Sequence, residues 1–163
     1  MKLTARLAFL LTFLFCFLAL SVAAYFQFVE ELEPCPLCIS QRIAMLAVGL
    51  TSLLAAIHHP AATGVKIYAV IAAVFALCGL YISGRHVWIQ NLPADQVPSC
   101  GPGLSYMFKN FPLNKTIEAM LNGTGECADV LWTFLGLSIP AWTLLAFAAL
   151  FIWNVAIWLQ KFR

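Results

Sequence analysis

The 163-residue sequence predicts an all-α membrane protein, a bundle of four transmembrane helices with two extracytoplasmic loops, the second long and carrying short amphipathic helical pieces. Three observations predict it. Hydrophobic residues make up 63% of the chain and charged residues only 10%, with a mean hydropathy of +0.90, which is too apolar for a soluble domain. Four apolar stretches approach or exceed the length needed to cross a hydrocarbon core of ~30 Å at ~1.5 Å per residue. The net charge of +2 is small and its positive residues are scattered, which excludes a basic stripe for nucleic acid.

The elements follow in order within a single integral-membrane domain, residues 1–163. Residues 7–29 carry no charge and are preceded by Lys2 and Arg6, so they form the first span. The small residues Ser21-Val22-Ala23-Ala24 leave a cleaved signal sequence as an alternative. Glu30, Glu31 and Glu33 make the first loop, residues 30–37, acidic. The uncharged run Ile43 to Ile57 covers only about 22 Å, so the second span must extend to residues 38–58, with Arg42 reaching to the interface. His58-His59-Pro60 and Gly64 then form a short solvated connection. The third span is expected over residues 66–85 and the fourth over 139–160, where Pro140 suits a first helical turn. In the long loop, residues 86–138, Leu104, Met107, Phe108 and Phe111 recur at helical spacing, as do Ile117, Met120 and Leu121. Such pieces either lie on the bilayer or pack against the bundle. Asn122-Gly123-Thr124 reads as a turn.

Charge placement orients the bundle. Lys2, Arg6, Lys66, Lys161 and Arg163 fall in the terminal segments and the connection between the second and third spans, which are therefore expected to be cytoplasmic. Of the six cysteines, Cys16 and Cys78 lie in apolar runs and read as packing residues. Cys35, Cys38, Cys100 and Cys127 then share the extracytoplasmic side, in a bacterium the periplasm, where disulfides persist.

Cys35-Pro36-Leu37-Cys38 can be a redox disulfide, half of a metal site or a structural staple. With Pro36 at the first helical position, Cys38 falls at the third, where free backbone N–H groups and the helix dipole favour a thiolate. Arg42, four residues on, shares its helix face and adds positive charge. Cys35 has the opposite influence from Glu30, Glu31 and Glu33. A staple gains nothing from this asymmetry, whereas an electron relay uses it. No metal is expected, since Cys100 and Cys127 do not form a second close pair. A thiolate at the membrane edge beside an arginine can meet the head group of a lipid-soluble quinone, and His86 can hydrogen-bond a quinone oxygen or stand merely as an interfacial histidine.

Cys35-Pro36-Leu37-Cys38 followed by Arg42, the separate Cys100 and Cys127, and Trp132-Thr133-Phe134-Leu135-Gly136-Leu137 leading into Pro140-Ala141-Trp142 occur here in one order over essentially the full length. In this the chain resembles the DsbB family of bacterial inner-membrane disulfide:quinone oxidoreductases. The resemblance implies a four-helix bundle that re-oxidises a periplasmic DsbA-like thioredoxin-fold partner and passes electrons to ubiquinone or menaquinone. It implies that Cys100 captures the partner, that Cys127 is its disulfide mate, that Cys35 links this pair to Cys38, and that Cys38 meets the quinone with Arg42 and His86. Gln41 departs from the acidic residue often found there in the family. Two alternatives are a vitamin-K-epoxide-reductase-like enzyme, in which the Cys-x-x-Cys is expected in the last span, and a non-catalytic scaffold with two permanent disulfides.

Overall fold

The structure, a computed structural model, describes residues 4–93, 95–99 and 104–160. Lys2, Cys100, Lys161 and Arg163, which carry part of the sequence argument, lie outside the described residues. Four helices are long and apolar enough to cross a membrane: α1 (Ala5–Phe28), α2 (Pro36–His58), α3 (Ala62–Gln90) and α6 (Ile139–Leu159). The fold is the expected one, a mostly helical multi-pass membrane protein. Between α3 and α6 come α4 (Leu104–Asn110), α5 (Leu113–Asn122), a 3-10 turn (Gly125–Ala128) and a two-stranded antiparallel ribbon of β1 (Thr133–Phe134) and β2 (Leu137–Ser138).

One boundary departs from expectation. The third span was expected over 66–85, and the helix that contains those residues is longer, running from Ala62 to Gln90. Arg85 ends the apolar run without ending the backbone helix, because its charge finds partners at the head of the bundle. Its Nε donates to the Asn122 carbonyl at 3.0 Å and its guanidinium lies 5.2 Å from the Trp88 ring centre. The ribbon was not foreseen. It turns through Leu135 and Gly136, both at positive φ (51° and 78°), the geometry that suits a tight hairpin.

The four long helices pack with their small residues inward. Ala69, Ala72, Ala73, Ala76 and Gly79 form one buried face of α3, and small residues let helices approach closely where lipid supplies no hydrophobic drive. Larger apolar residues such as Leu18, Leu54, Ile67 and Ile152 point outward, as a lipid solvent permits. Cys16 joins the central cluster of Met45, Val48, Ala76, Phe147 and Leu150. Cys78, by contrast, is exposed on the outer face instead of packed within. Buried Thr12, Ser83 and Asn154 return hydrogen bonds to Ala8, Gly79 and Leu150 carbonyls of their own helices, which satisfies the two hydroxyls and the Asn154 amide nitrogen without water.

Going round the bundle, α1 packs on α2, α2 on α3 and α3 on α6, while α1 and α6 touch only sparingly. A seam is therefore left between them. The loop elements sit over the end where α2 begins. Ser40 Oγ donates to the Met120 carbonyl at 2.7 Å, fastening α5 to α2. Leu113, Ile117 and Leu121 form an exposed stripe on α5, while Thr116 is buried and donates to the Met107 carbonyl of α4.

Candidate functional site

Cys35 is the N-cap of α2. Pro36 occupies the first turn, where its missing N–H costs nothing, and Cys35 in extended backbone turns its Sγ back to accept the Cys38 N–H at 3.4 Å. The helix-start donor expected to favour a Cys38 thiolate is thus directed at the neighbouring sulfur, because terminal N–H groups point toward the capping residue. The Cys35 and Cys38 sulfurs lie 2.9 Å apart.

The 3-10 turn brings in the third described thiol. Gly123, at φ 80°, lets the chain pass over Leu37 and Ile89 so closely that an added Cβ would stand 2.7 and 2.8 Å from their methyl carbons. Cys127 follows, 1% exposed and packed with Leu37, Ile82 and Ile89. The sulfurs of Cys35 and Cys127 and a ring nitrogen of His86 all lie within 4.8 Å of one another. The Cys35 thiol is pushed up, first by its hydrogen bond to Cys127, then by that to Cys38, then by burial. The direction is the one expected, but the cause is spatial thiol neighbours and not the sequence-adjacent glutamates. Cys127 is pushed down to about 6, chiefly because Cys35 hydrogen-bonds it, with burial opposing and the backbone N–H groups of Leu37 and Thr124 assisting. Of the two, Cys127 is the thiol favoured as thiolate and Cys35 the one favoured in its protonated form.

His86 is not an interfacial side chain; it is 2% exposed. Its Nε2 lies 3.8 Å from Cys35 Sγ, and its Nδ1 lies 3.1 Å from Gln41 Nε2. Gln41 Oε1 accepts from Thr143 Oγ1 at 2.8 Å, so α2, α3 and α6 meet in one polar chain. Arg42 also finds its partners on a neighbouring helix. It turns onto α1, where it donates to Gln27 Oε1 and, at 3.0 Å, to the Ala23 carbonyl. A cavity of about 1040 Å³ lies at this end of the bundle, with Cys38, Arg42 and His86 in its wall beside Phe26, Met45 and Phe147. Its lining comes from both α1 and α6, on either side of the seam. Trp132, just before the ribbon, packs on Phe26, ring centres 4.9 Å apart, and Trp142 Nε1 donates to the Phe134 carbonyl at 3.1 Å.

Gln41, Thr143 and Gln27 were missed as site residues. For Gln41 a signal existed, since it lies three residues after Cys38 on a helix and so near the same face. Thr143 and Gln27 carried none, because their partners lie far off in sequence.

A multi-pass helical bundle with three described thiols and an imidazole gathered together, Cys35, Cys38 and His86 of them in the wall of a cavity, defines a membrane thiol–disulfide protein. Comparison with known proteins narrows this: the family model described as "Disulfide bond formation protein DsbB" matches residues 5–157. The chain belongs to the DsbB family, and its role is in disulfide bond formation. It is 60% identical over 155 residues to disulfide bond formation protein B of Methylococcus capsulatus, covering 95% of this chain and 94% of that protein. It is 56% identical over 158 residues to the Nitrosococcus oceani protein of the same name, covering 97% and 92%. With the Acinetobacter baumannii protein of that name it shares 45% identity over 164 residues, covering 100% and 94%.

Proposed function

We propose that the protein re-oxidises a periplasmic thioredoxin-fold dithiol oxidase of the DsbA type and passes the electrons to a membrane quinone, ubiquinone or menaquinone. It would do so from the bacterial inner membrane, with both termini cytoplasmic and the thiol cluster periplasmic. The observation that carries this is the position of the Cys35 sulfur, with Cys127 on one side and Cys38, in the cavity wall, on the other. Cys35 is thus the junction between a loop thiol and a membrane thiol.

In this sequence of exchanges, the partner's two thiols become a disulfide as the Cys100–Cys127 bond is reduced. The Cys127 thiolate then attacks Cys35 of the Cys35–Cys38 disulfide. A Cys127–Cys35 bond forms, the Cys35–Cys38 bond breaks, and Cys38 leaves as a thiolate beside the cavity. Cys127 lies within reach of Cys35 for that attack, and the thiolate is the form that attacks. Cys100 next displaces Cys35 from Cys127, which restores the loop disulfide and leaves Cys35 and Cys38 reduced.

The cavity suits a quinone. It is large enough for a ring system and much of its wall is apolar. Arg42 and His86 can hold the ring oxygens, and the bound quinone would accept two electrons and two protons. Gln27 and Ala23 fix the Arg42 guanidinium in advance, so little side-chain freedom is lost on binding.

The test is to mix purified protein with a reduced DsbA-type partner and either ubiquinone or menaquinone and to follow quinone reduction. Cys38→Ala should abolish reduction while the partner is still captured as a mixed disulfide. Normal turnover in that variant would overturn the assignment.

A further inference from the structure

Cys35, His86 and Cys127 come from three separate elements, the cap of α2, the body of α3 and the 3-10 turn. Their convergence is invisible to any sequence spacing rule for metal sites. We propose that in the reduced protein these three side chains bind a divalent cation of the zinc class, and that a disulfide at either cysteine closes the site.

The geometry is nearly that of a tetrahedral site. The three ligand atoms lie within 4.8 Å of one another, and Cys35 Sγ is 3.8 Å from His86 Nε2. Zinc bonds of ~2.3 Å to sulfur and ~2.0–2.1 Å to nitrogen set neighbouring ligand atoms roughly 3.5–3.8 Å apart. A contraction of roughly 1.3 Å or less closes the set. Two thiolates and an imidazole are the donors that a borderline-soft cation prefers.

The surroundings favour the ion. Glu31, Glu33, Glu126 and Asp129 line the same cavity as Cys35 and His86 and draw cations to it. The basic group in that wall, Arg42, is engaged by Gln27 and the Ala23 carbonyl. Coordination requires His86 Nε2 to give up its hydrogen to the other tautomer. Gln41 permits this by turning its amide over. Its oxygen then accepts from Nδ1–H, and its nitrogen donates to Thr143 Oγ1, whose hydroxyl turns to the Pro140 carbonyl 2.9 Å away. Two metal–sulfur bonds form with both cysteines bound as thiolates, the Cys35 proton is released to water, no electron moves, and the fourth position is left to water. Cys35 and Cys127 so held cannot exchange disulfides, so the metal arrests turnover.

The test uses the full-length protein in detergent, without quinone or partner, titrated anaerobically with Zn²⁺ against a chromophoric chelator. The reduced protein should take up one Zn²⁺ at this site and the fully oxidised protein none. X-ray absorption should find two sulfur neighbours and one imidazole nitrogen. Cys127→Ser and His86→Ala should abolish uptake, Gln41→Leu should weaken it roughly 10- to 100-fold, and Cys78→Ser should leave it unchanged. Absence of uptake by the reduced protein, equal uptake by the oxidised protein, or a shell without imidazole nitrogen would each overturn the site. The redox contrast and the ligand shell are read on the unsubstituted chain, so a variant that misfolds does not decide the matter. Since neither quinone nor partner is present, this site and the electron-transfer function fail separately.

Discussion

At the scale of single residues, Cys35 caps α2 and, in the proposed function, is also the junction between the two thiol pairs. Serine at that position retains a capping oxygen but no redox chemistry, whereas alanine loses both. Cys35→Ser should therefore keep the detergent unfolding midpoint close to the parent's, and Cys35→Ala should cost about 0.5–2 kcal/mol. Both should be inactive in disulfide exchange; equal stability of the two variants would contradict the capping role. The sequence made the asymmetry of the Cys-x-x-Cys pair legible, but not its origin. Glu30, Glu31 and Glu33 adjoin Cys35 along the chain, yet the sulfur is governed by Cys127 and Cys38, and Cys127 reaches it only through tertiary folding.

At the scale of elements, hydropathy gave the four long helices because burial in lipid is written locally, in runs of apolar residues. The extension of α3 through Arg85 was hidden because its partners, Asn122 and Trp88, are set by the docked loop and the helix itself. The ribbon β1–β2 is two residues per strand, too short to show alternation. Docking of the 3-10 turn hinges on Gly123, whose backbone at φ 80° and ψ 161° is one that side chains resist. Gly123→Ala should cost about 1–3 kcal/mol in strain and push Cys127 away from Cys35. The measurable result is slower oxidative cross-linking of Cys35 to Cys127, with α-helical content by circular dichroism unchanged.

At the scale of the whole molecule, the bundle is closed tightly along α3 and α6 and left open between α1 and α6. The tight side depends on Gly79, where an added Cβ would stand 2.2 Å from the buried Phe147 ring. Gly79→Val should destabilise the bundle by about 1–3 kcal/mol or more, read as a lower denaturant midpoint. Phe147→Leu should recover part of that loss when combined with it. None of this closure was legible beforehand, and neither was the cavity at the seam. Which helices touch is decided by small-residue faces meeting particular rings, and a pattern of apolar residues one helix at a time does not encode its neighbour.

The cap on α2 also makes the backbone a reporter of oxidation state. The amide of Cys38 donates to the Cys35 sulfur, and in the proposed relay that sulfur changes partner between Cys38 and Cys127. Solvent exchange of this one proton should therefore quicken when Cys35 is drawn to Cys127 and slow when it returns, so that fraying of the first helical turn keeps time with the thiols. Hydrogen–deuterium exchange resolved at Cys38, compared between protein trapped in the Cys35–Cys127 state and fully reduced protein, would register the difference; identical rates would uncouple the two.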